Sequence, residues 1–388
     1  NLVEGVQGKG GITTTGQNVL NSQLSFKWKL PFIVNGLYLS GTGAFDYSNS
    51  TVKAFTNTYD YYQYDAINNV YENENVNPTL GRSLSQSYQN IFGKTVNLRL
   101  GFTQNYGPHN IDAFVAYEQY EMNYDLISAQ RSVFLSDQIP YLFFGGTQNE
   151  LNNGSAGQFA YRNMFGRIAY NYKEKYLAEF TMRRDESVKF SPDKRVGYFP
   201  GVSAGWRMSE ENFIKDRFPF ISNLKLRGSW GQSGSDAVGD FQYLATYVLG
   251  QGYAFGSQAQ TFPSISPSSV PNPFITWEIA NNSNIGFDGD LWDGLLGFEL
   301  DYFVSGRSNI LAQRNGSVPS YTGLVLPSEN IGKTINKGIE ILIRHRNRIG
   351  RDFSYDISGN FTFVRNKILF RDEAANIPDY QRQAGHSI

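Results

Sequence analysis

Apolar and polar residues alternate along several long stretches of this chain. In residues 353–363 every odd position is aromatic, isoleucine or glycine, and every even position is Ser, Asp, Asn or Thr. A period of two places the apolar side chains on one face of a β-strand and the polar ones on the other. The pattern recurs in residues 24–30, 224–230, 296–302 and 339–344. The sequence therefore predicts strands with one apolar and one polar face.

The alternation predicts about twelve strands, most of them about ten residues or longer. A tilted strand of about that length crosses a bilayer, whereas strands of soluble domains average about five or six residues. The predicted strands are 23–33, 37–48, 95–106, 111–125, 162–172, 176–186, 200–209, 223–232, 276–289, 295–305, 337–345 and 353–366. One short helix is expected at residues 210–216, with Ser209 as its N-cap. No run of 18 apolar residues occurs, which excludes a spanning helix.

Short and long connections follow one another between these strands. Residues 107–110 and 173–175 are short connections, whereas residues 49–94, 126–161 and 233–275 are long ones. Outer-membrane barrels have short periplasmic turns and long extracellular loops. The strands of a soluble Greek-key sandwich also alternate apolar and polar residues. That fold, however, explains neither the strand lengths nor the succession of short and long connections. We therefore predict an all-β fold, a transmembrane antiparallel β-barrel.

The composition supports this interpretation and excludes other classes. Charged residues make up 18% of the chain, below the roughly 25% of a typical soluble domain. Aromatic residues make up 15%, and amphipathic rings are common at membrane interfaces. A net charge of −1 gives no basic excess for binding nucleic acid. The chain has no cysteine, which excludes disulfides and thiolate metal sites, and we expect no cofactor.

Catalysis has little support in the sequence. The three histidines are His109 in a tight turn, His345 at a strand end and His386 near the C-terminus. None is spaced as a metal ligand pair, and exposed or turn positions are the ordinary explanation for all three. We therefore expect that the protein is not an enzyme.

One long loop is crowded with aromatic residues. Tyr59, Tyr61, Tyr62 and Tyr64 lie close together there, among Asp and Asn residues. Aromatic rings can stack on a sugar or peptide ligand, and neighbouring polar groups can orient it. These four tyrosines are therefore candidate ligand contacts. The competing interpretation, which we favour for any single tyrosine, is that these rings pack the loops against one another.

Three segments resemble SusC/RagA-type TonB-dependent receptors of Bacteroidetes. They are YNYKEKYLAEFTMRRD (170–185), GYFPGVSAGWRMSEE (197–211) and ISNLKLRGSWGQSG (221–234). Pro273, Trp277-Glu278 and the Asn330-Ile-Gly stretch up to Glu340 are similar to the same family. The matches keep the family's order from about residue 20 onwards.

This resemblance implies the architecture and the partners. It implies a barrel of about 22 strands, of which the 388 residues would be one part without the plug, the TonB box and the first and last strands. It implies TonB, a SusD-like surface lipoprotein as a lid, and outer-membrane lipid as surroundings, and it allows a dimer of such pairs. Residues 371–388 are expected to begin an extracellular loop that does not return within this chain.

The function that follows is outer-membrane import of a bulky nutrient, an oligosaccharide or a peptide, in a Gram-negative bacterium. Charged residues at polar positions of the strands are expected to face the lumen: Arg99, Arg167, Glu179, Arg227, Glu299 and Arg344. They would contact the cargo, or hydrogen-bond one another or a plug. The alternatives are a receptor for a siderophore or vitamin and a surface adhesin barrel without transport.

Overall fold

The computed structural model describes residues 10–58, 62–73, 81–148, 150–256, 260–314, 321, 326–374 and 376–388. Their strands are β1 (Gly11–Lys29), β2 (Leu37–Thr56), β3 (Tyr62–Asp65), β4 (Val70–Asn73), β5 (Ser83–Tyr106), β6 (His109–Ser132), β7 (Leu151–Tyr172), β8 (Tyr176–Ser187), β9 (Val196–Arg207), β10 (Ile221–Ser235), β11 (Tyr247–Phe255), β12 (Gln260–Pro267), β13 (Glu278–Leu291), β14 (Leu296–Gln313), β15 (Ser328–Ile349) and β16 (Phe353–Phe370). No helix in these ranges has both the length and the apolar character that crossing a membrane requires.

Twelve of the strands form one antiparallel sheet. Its order is β1-β2-β5-β6-β7-β8-β9-β10-β13-β14-β15-β16, so β1 and β16 are not neighbours among the described residues. These twelve correspond to the twelve predicted strands, and the predicted all-β antiparallel fold is confirmed. The sequence patterns did not indicate the hairpins β3-β4 and β11-β12, which form two separate two-stranded sheets.

The strands are longer than predicted mainly where a long loop follows or precedes them. β5 begins at Ser83 rather than residue 95, β7 at Leu151 rather than 162, and β15 at Ser328 rather than 337. The added residues are mostly polar on both faces, as in the segment from Ser83 to Gln89. Backbone hydrogen bonds extend a strand whatever its side chains are, whereas alternation marks only the part with one apolar face.

The short helix between β9 and β10 differs from the prediction. Residues Met208–Glu210 form a 3-10 turn, and the α-helix α1 covers only Asn212–Lys215. Ser209 is buried within the 3-10 turn, so its prediction as the N-cap is wrong. The N-cap position is Glu211, whose side chain makes no capping hydrogen bond.

The carboxylate of Glu211 binds neighbouring side chains instead. It accepts hydrogen bonds from Tyr176 Oη at 2.7 Å and Trp206 Nε1 at 3.0 Å, and pairs with Lys175 Nζ at 2.5 Å. The hydrogen bond from Lys175 is the main reason that the pKa of Glu211 is lowered, followed by that from Tyr176. This one side chain ties the turn after β7 to the turn after β9.

The contacts divide the chain into two compact units. The first contains Asn1–Phe26, Gly41–Asn97 and Gln119–Ala160, and the second contains Lys27–Ser40, Leu98–Glu118 and Tyr161–Ile388. The first has a small buried cluster of Phe55, Leu84 and Phe134, with Leu142 packed against it. The second contains the polar surface described below.

In the second unit the strand register separates apolar rows from polar rows. One row of directly opposed residues is Leu226, Phe287, Leu300, Ile341 and Phe361. The adjacent row is Arg227, Gly286, Asp301, Glu340 and Thr362. Since opposed residues share a face, the sheet has an apolar face and a polar face. The apolar face is open: Ile343 and Phe361 are 52% and 60% exposed.

The C-terminal stretch folds back onto the edge of β16. Gly385 N donates to Ile368 O, and Ile368 N donates to His386 O, both at 2.8 Å. The expectation that residues 371–388 do not return is therefore wrong, because they meet the edge backbone of β16. Glu373 closes this turn by accepting from Gln383 N at 2.7 Å and Ala384 N at 2.9 Å.

Acidification is expected to open this turn. The two backbone hydrogen bonds lower the pKa of Glu373, so their stabilisation is present at neutral pH and is lost as the pH falls through that lowered pKa. Hydrogen exchange of the Ala384 amide, corrected for the intrinsic rate, should then accelerate. In Glu373→Gln the exchange should not depend on pH; an equal dependence in that variant would contradict the assignment.

Candidate functional site

The polar face of the second unit contains a concavity of about 370 Å³. Its floor is formed by small residues of neighbouring strands, such as Ser203, Gly205 and Ser229. Two arginines, Arg167 on β7 and Arg227 on β10, also line it. Small side chains at these positions leave room in front of the sheet, and the arginines bound that room.

Arg167 is held between two carboxylates from adjacent strands. Its Nη1 lies 3.1 Å from Asp112 Oδ1 on β6, and its Nη2 lies 2.6 Å from Glu179 Oε2 on β8. Thr103 Oγ1 donates to the other oxygen of Asp112 at 2.8 Å. The three charged side chains are each about one-third exposed, so each pair contributes at most about 1 kcal/mol. Their main effect is to fix the guanidinium in position.

Arg227 has the same arrangement on β10. Its Nε lies 3.0 Å from Asp288 Oδ1, its Nη2 lies 2.6 Å from Asp301 Oδ2, and its Nη1 donates to Asn284 Oδ1 at 3.2 Å. Gly286 makes this possible, because a Cβ there would come within 2.7 Å of both the guanidinium carbon and Asp301 Oδ1. The guanidinium therefore lies across a backbone without a side chain, with two carboxylates around it.

A second concavity, of about 360 Å³, lies further along the same face. Lys225 and Arg227 line both concavities, and Glu299 and Arg344 line the second. Arg344 is only loosely paired, at 3.9 Å from Asp356. Five of the six charged residues predicted to face a lumen thus line these two concavities.

Arg99, the sixth, is held by rings rather than by carboxylates. Its guanidinium carbon lies 3.7 Å from the Phe114 ring centroid and 5.9 Å from that of Tyr38. Its buried Nε has no hydrogen-bond partner among the described residues. Cation–π contacts of this kind hold a guanidinium flat without neutralising it.

Sequence reasoning missed the aspartates that complete the two arginine groups. Asp112, Asp288 and Asp301 occupy polar positions of β6, β13 and β14, so the alternation could have identified them. Which arginine each would pair with depended on the register between strands, which a single sequence does not give.

The predicted loop tyrosines are only partly within the described residues. Tyr59 and Tyr61 lie outside them. Tyr62 and Tyr64 lie on β3, where Tyr62 is 59% exposed. Tyr64 packs against Tyr71 of β4 with ring centroids 5.2 Å apart and donates to Asn69 Oδ1 at 2.6 Å. Tyr64 thus packs within its own hairpin.

None of the three histidines lines either concavity, although His109 contacts Tyr170, which lines the first. His109 Nδ1 lies 2.7 Å from Tyr170 Oη at the turn after β5, and His345 stacks on Tyr355 with centroids 5.5 Å apart. His386 belongs to the C-terminal turn. Within the described ranges, no three His, Asp or Glu side chains converge as metal ligands.

Four buried residues form a core beneath the loops of the second unit. They are Phe190, Phe199, Ile275 and Trp277, and none is more than 9% exposed. The Trp277 ring lies 5.4 Å from the rings of both phenylalanines, and its Nε1 donates to Arg195 O at 3.1 Å. We call this group the loop core. It joins the β8–β9 connection to the segment that precedes β13.

Asn330 fastens a third connection to the loop core. Its side chain accepts from Thr276 N at 2.9 Å and donates to Thr276 O at 2.7 Å and Asn309 O at 2.9 Å. Ser191 Oγ donates to Pro273 O at 3.2 Å, so the Pro273, Trp277 and Asn330 sequence signals all mark residues that hold the loop bases together.

The family model described as "TonB dependent receptor-like, beta-barrel" matches residues 6–385. The chain belongs to this family. TonB-dependent receptors of this family are outer-membrane proteins of Gram-negative bacteria and transport or receive ligands rather than catalyse reactions. The membership predicted from the sequence segments is thereby confirmed.

Two curated TonB-dependent receptors illustrate the similarity. Receptor P3 of Formosa agariphila is 26% identical over 369 residues, which are 95% of this chain and 32% of that protein. SusC of Bacteroides thetaiotaomicron is 34% identical over 226 residues, which are 58% of this chain and 22% of that protein. The chain therefore spans at most about a third of the length of these relatives.

Solved structures of TonB-dependent receptors share the fold. The RagAB peptide importer in its closed-closed state aligns with 99% of this chain and 40% of its own, with a TM-score of 0.81 and 20% identity. The ferric-catecholate receptor Fiu of E. coli K12 aligns with 97% of this chain and 50% of its own, with a TM-score of 0.50 and 11% identity. The RagAB fold is clearly the more similar of the two.

Proposed function

We propose that this chain is part of the barrel wall of a TonB-dependent importer in a Gram-negative outer membrane. The observation that carries the proposal is the two-faced sheet of the second unit. Its apolar face is open, as hydrocarbon contact requires, and its polar face has ion-paired arginines around two concavities. In a membrane barrel the polar face lines the lumen. The paired charges make that lumen hydrophilic without a large net charge.

The cargo in this proposal is a bulky nutrient, an oligosaccharide or a peptide. Similarity to SusC and to the RagAB peptide importer supports this class, and it also supports a SusD-like lipoprotein as the partner. Energy would come from TonB. The side chains of the polar face, including Arg167 and Arg227, would hydrate and guide the cargo as it passes.

Import of a siderophore or vitamin is the second candidate. The shared fold with Fiu supports it, but at a TM-score of 0.50 against 0.81 for RagAB. A transport-free adhesin barrel would also have a polar inner face, so uptake is the property that separates it from an importer.

Deletion of the gene should abolish uptake of the cargo and leave growth on limiting iron unchanged. The measurement is accumulation of fluorescently labelled oligosaccharide and peptide pools in deletion and complemented cells. Complementation should restore uptake, and should fail when TonB is also removed. Loss of iron-limited growth without loss of oligomer uptake would favour the siderophore receptor.

A further inference from the structure

The connection between β10 and β13 contains a long segment without any charged residue. From Phe241 to Trp277 the sequence has no Asp, Glu, Lys, Arg or His, although 18% of the whole chain is charged. Tyr, Phe, Ser, Gln and Pro are frequent there, and the hairpin β11-β12 lies in the middle of the segment. An ionic ligand would lose hydration on this surface without gaining a counterion, which costs free energy. The segment therefore favours a neutral ligand.

The strand register gives the hairpin two different faces. Tyr253 is opposed to Phe262, and Gly250 is opposed to Ser264. Phe262 and Ser264 are two residues apart on β12, so both pairs lie on the same face. Ser266 continues this face, which we call the ring face. The opposite face is almost entirely apolar and contains Tyr247, Leu249, Ile265 and Pro267.

The ring face combines exposed aromatic rings with hydroxyl groups. Tyr253 and Phe262 are 70% and 51% exposed, and as directly opposed residues they are neighbours across the two strands. A Cβ at Gly250 would come within 2.7 Å of Ser264 Oγ, so this hydroxyl lies over a backbone without a side chain. A sugar ring has an apolar surface of CH groups and a rim of hydroxyls. Aromatic rings cover the first, and serine hydroxyls donate to and accept from the second.

The base of the hairpin holds this face in place. Ser268 N donates to Thr246 O at 2.8 Å, which closes the base. Asn272 Nδ2 then donates to Ser328 O at 2.7 Å, and its buried side chain ties the segment to the start of β15. A surface that is fixed before the ligand arrives loses less conformational entropy on binding. The ring face is thus a preformed surface rather than a free loop.

The size of the hairpin favours a small ligand over a protein partner. β11 and β12 have nine and eight residues. At a rise of about 3.4 Å per residue and two strands in width, one face covers roughly 300 Å². A stable protein interface buries about 800 Å² on each partner. A peptide would fit the area, but its charged termini have no counterion in the uncharged segment.

We propose that the ring face of β11-β12 is a capture site for an uncharged oligosaccharide. Its sugar rings stack on Tyr253 and Phe262, and its hydroxyl groups hydrogen-bond to Ser264 and Ser266. The hairpin belongs to a long connection, and long connections of outer-membrane barrels lie outside the cell, where cargo arrives. This inference rests on the proposed import function and narrows its cargo to neutral saccharides.

The test is calorimetry on the full-length receptor with five probes: maltohexaose, cellohexaose, xylohexaose, hexagalacturonate and an uncharged hexapeptide with blocked ends. At least one neutral saccharide should bind more tightly than hexagalacturonate and the peptide. Tyr253→Ala and Phe262→Ala should each weaken binding of that saccharide about fivefold. Tyr253→Phe should retain most of the affinity, because the stacking ring remains.

Tyr247→Ala is the matched control. Tyr247 is on the same hairpin and is 66% exposed, but it is opposed to Pro267 on the other face. Its removal should leave saccharide binding unchanged. Equal effects of Tyr247→Ala and Tyr253→Ala would overturn the ring face as the site. Binding of none of the neutral saccharides, or a preference for hexagalacturonate or the peptide, would also overturn it. So would loss of a co-purifying protein from the Tyr253 and Phe262 variants with saccharide binding unchanged.

Uptake separates failure of this inference from failure of the proposed function. In cells with both Tyr253→Ala and Phe262→Ala, the concentration of neutral saccharide that gives half-maximal uptake should rise about tenfold, with the maximal rate unchanged. An unchanged half-maximal concentration contradicts the capture site and leaves the importer standing. Failure of wild-type cells to take up any saccharide or peptide contradicts the import proposal itself.

Discussion

Replacing Trp277 with alanine is expected to destabilise the loop core by about 3–5 kcal/mol, the usual cost of removing a buried aromatic side chain. The ring is 9% exposed and contacts Phe190 and Phe199, and its Nε1 bonds Arg195 O. Because the core joins separate connections, its loss should open the loops while the sheet remains paired. Limited proteolysis should cleave residues 188–195 far faster in the variant.

Phe274→Ala is the control for this prediction. Phe274 is close to Trp277 in sequence but is 77% exposed, so its removal should leave the cleavage rate unchanged. Trp277→Phe should give an intermediate rate, because the ring packing remains and the hydrogen bond is lost. If Trp277→Ala unfolds the whole barrel at the same denaturant concentration at which the loops open, the core is not an independent unit.

Replacing Ile341 with arginine is expected to cost about 2–4 kcal/mol near the bilayer midplane. Ile341 lies in the apolar row between Leu300 and Phe361, on the face that we propose contacts lipid. Unfolding of the full-length receptor from bilayers at increasing denaturant measures the change.

Leu342→Arg is the matched substitution on the other face. Leu342 is opposed to Glu299 and lines the second concavity, where a new cation has water and a carboxylate. It should cost less than Ile341→Arg. A larger cost at position 342 would reverse the assignment of the two faces.

Much of the fold follows from alternation alone. It places Ile341 and Leu342 on opposite faces and identifies the strands that form the large sheet, because one apolar face imposes a strict period of two. The polar extensions of β5 and β15 escaped detection, since they carry no such period. The hairpins β3-β4 and β11-β12 escaped because each is short and lies within a polar loop.

The sequence identified individual charged residues of the site but not which of them form ion pairs. Arg167 and Glu179 were identifiable as polar-face charges, and they proved to be partners through the register of β7 and β8. The Glu211 contacts and the buried position of Ser209 depend on how the turns after β7 and β9 meet, which local propensity does not encode. Capping preference therefore gave the wrong residue there.

The hairpin β11-β12 leaves the sheet through a closed base. Ser268 N donates to Thr246 O, and Asn272 N donates to Gln242 O, both at 2.8 Å. Ile275 and Trp277 of the loop core follow Asn272 closely along the chain. The hairpin is thus a separate two-stranded element whose base is fixed next to the loop core. An affinity tag inserted after Gly256 should therefore be displayed while the loop core and the large sheet stay intact.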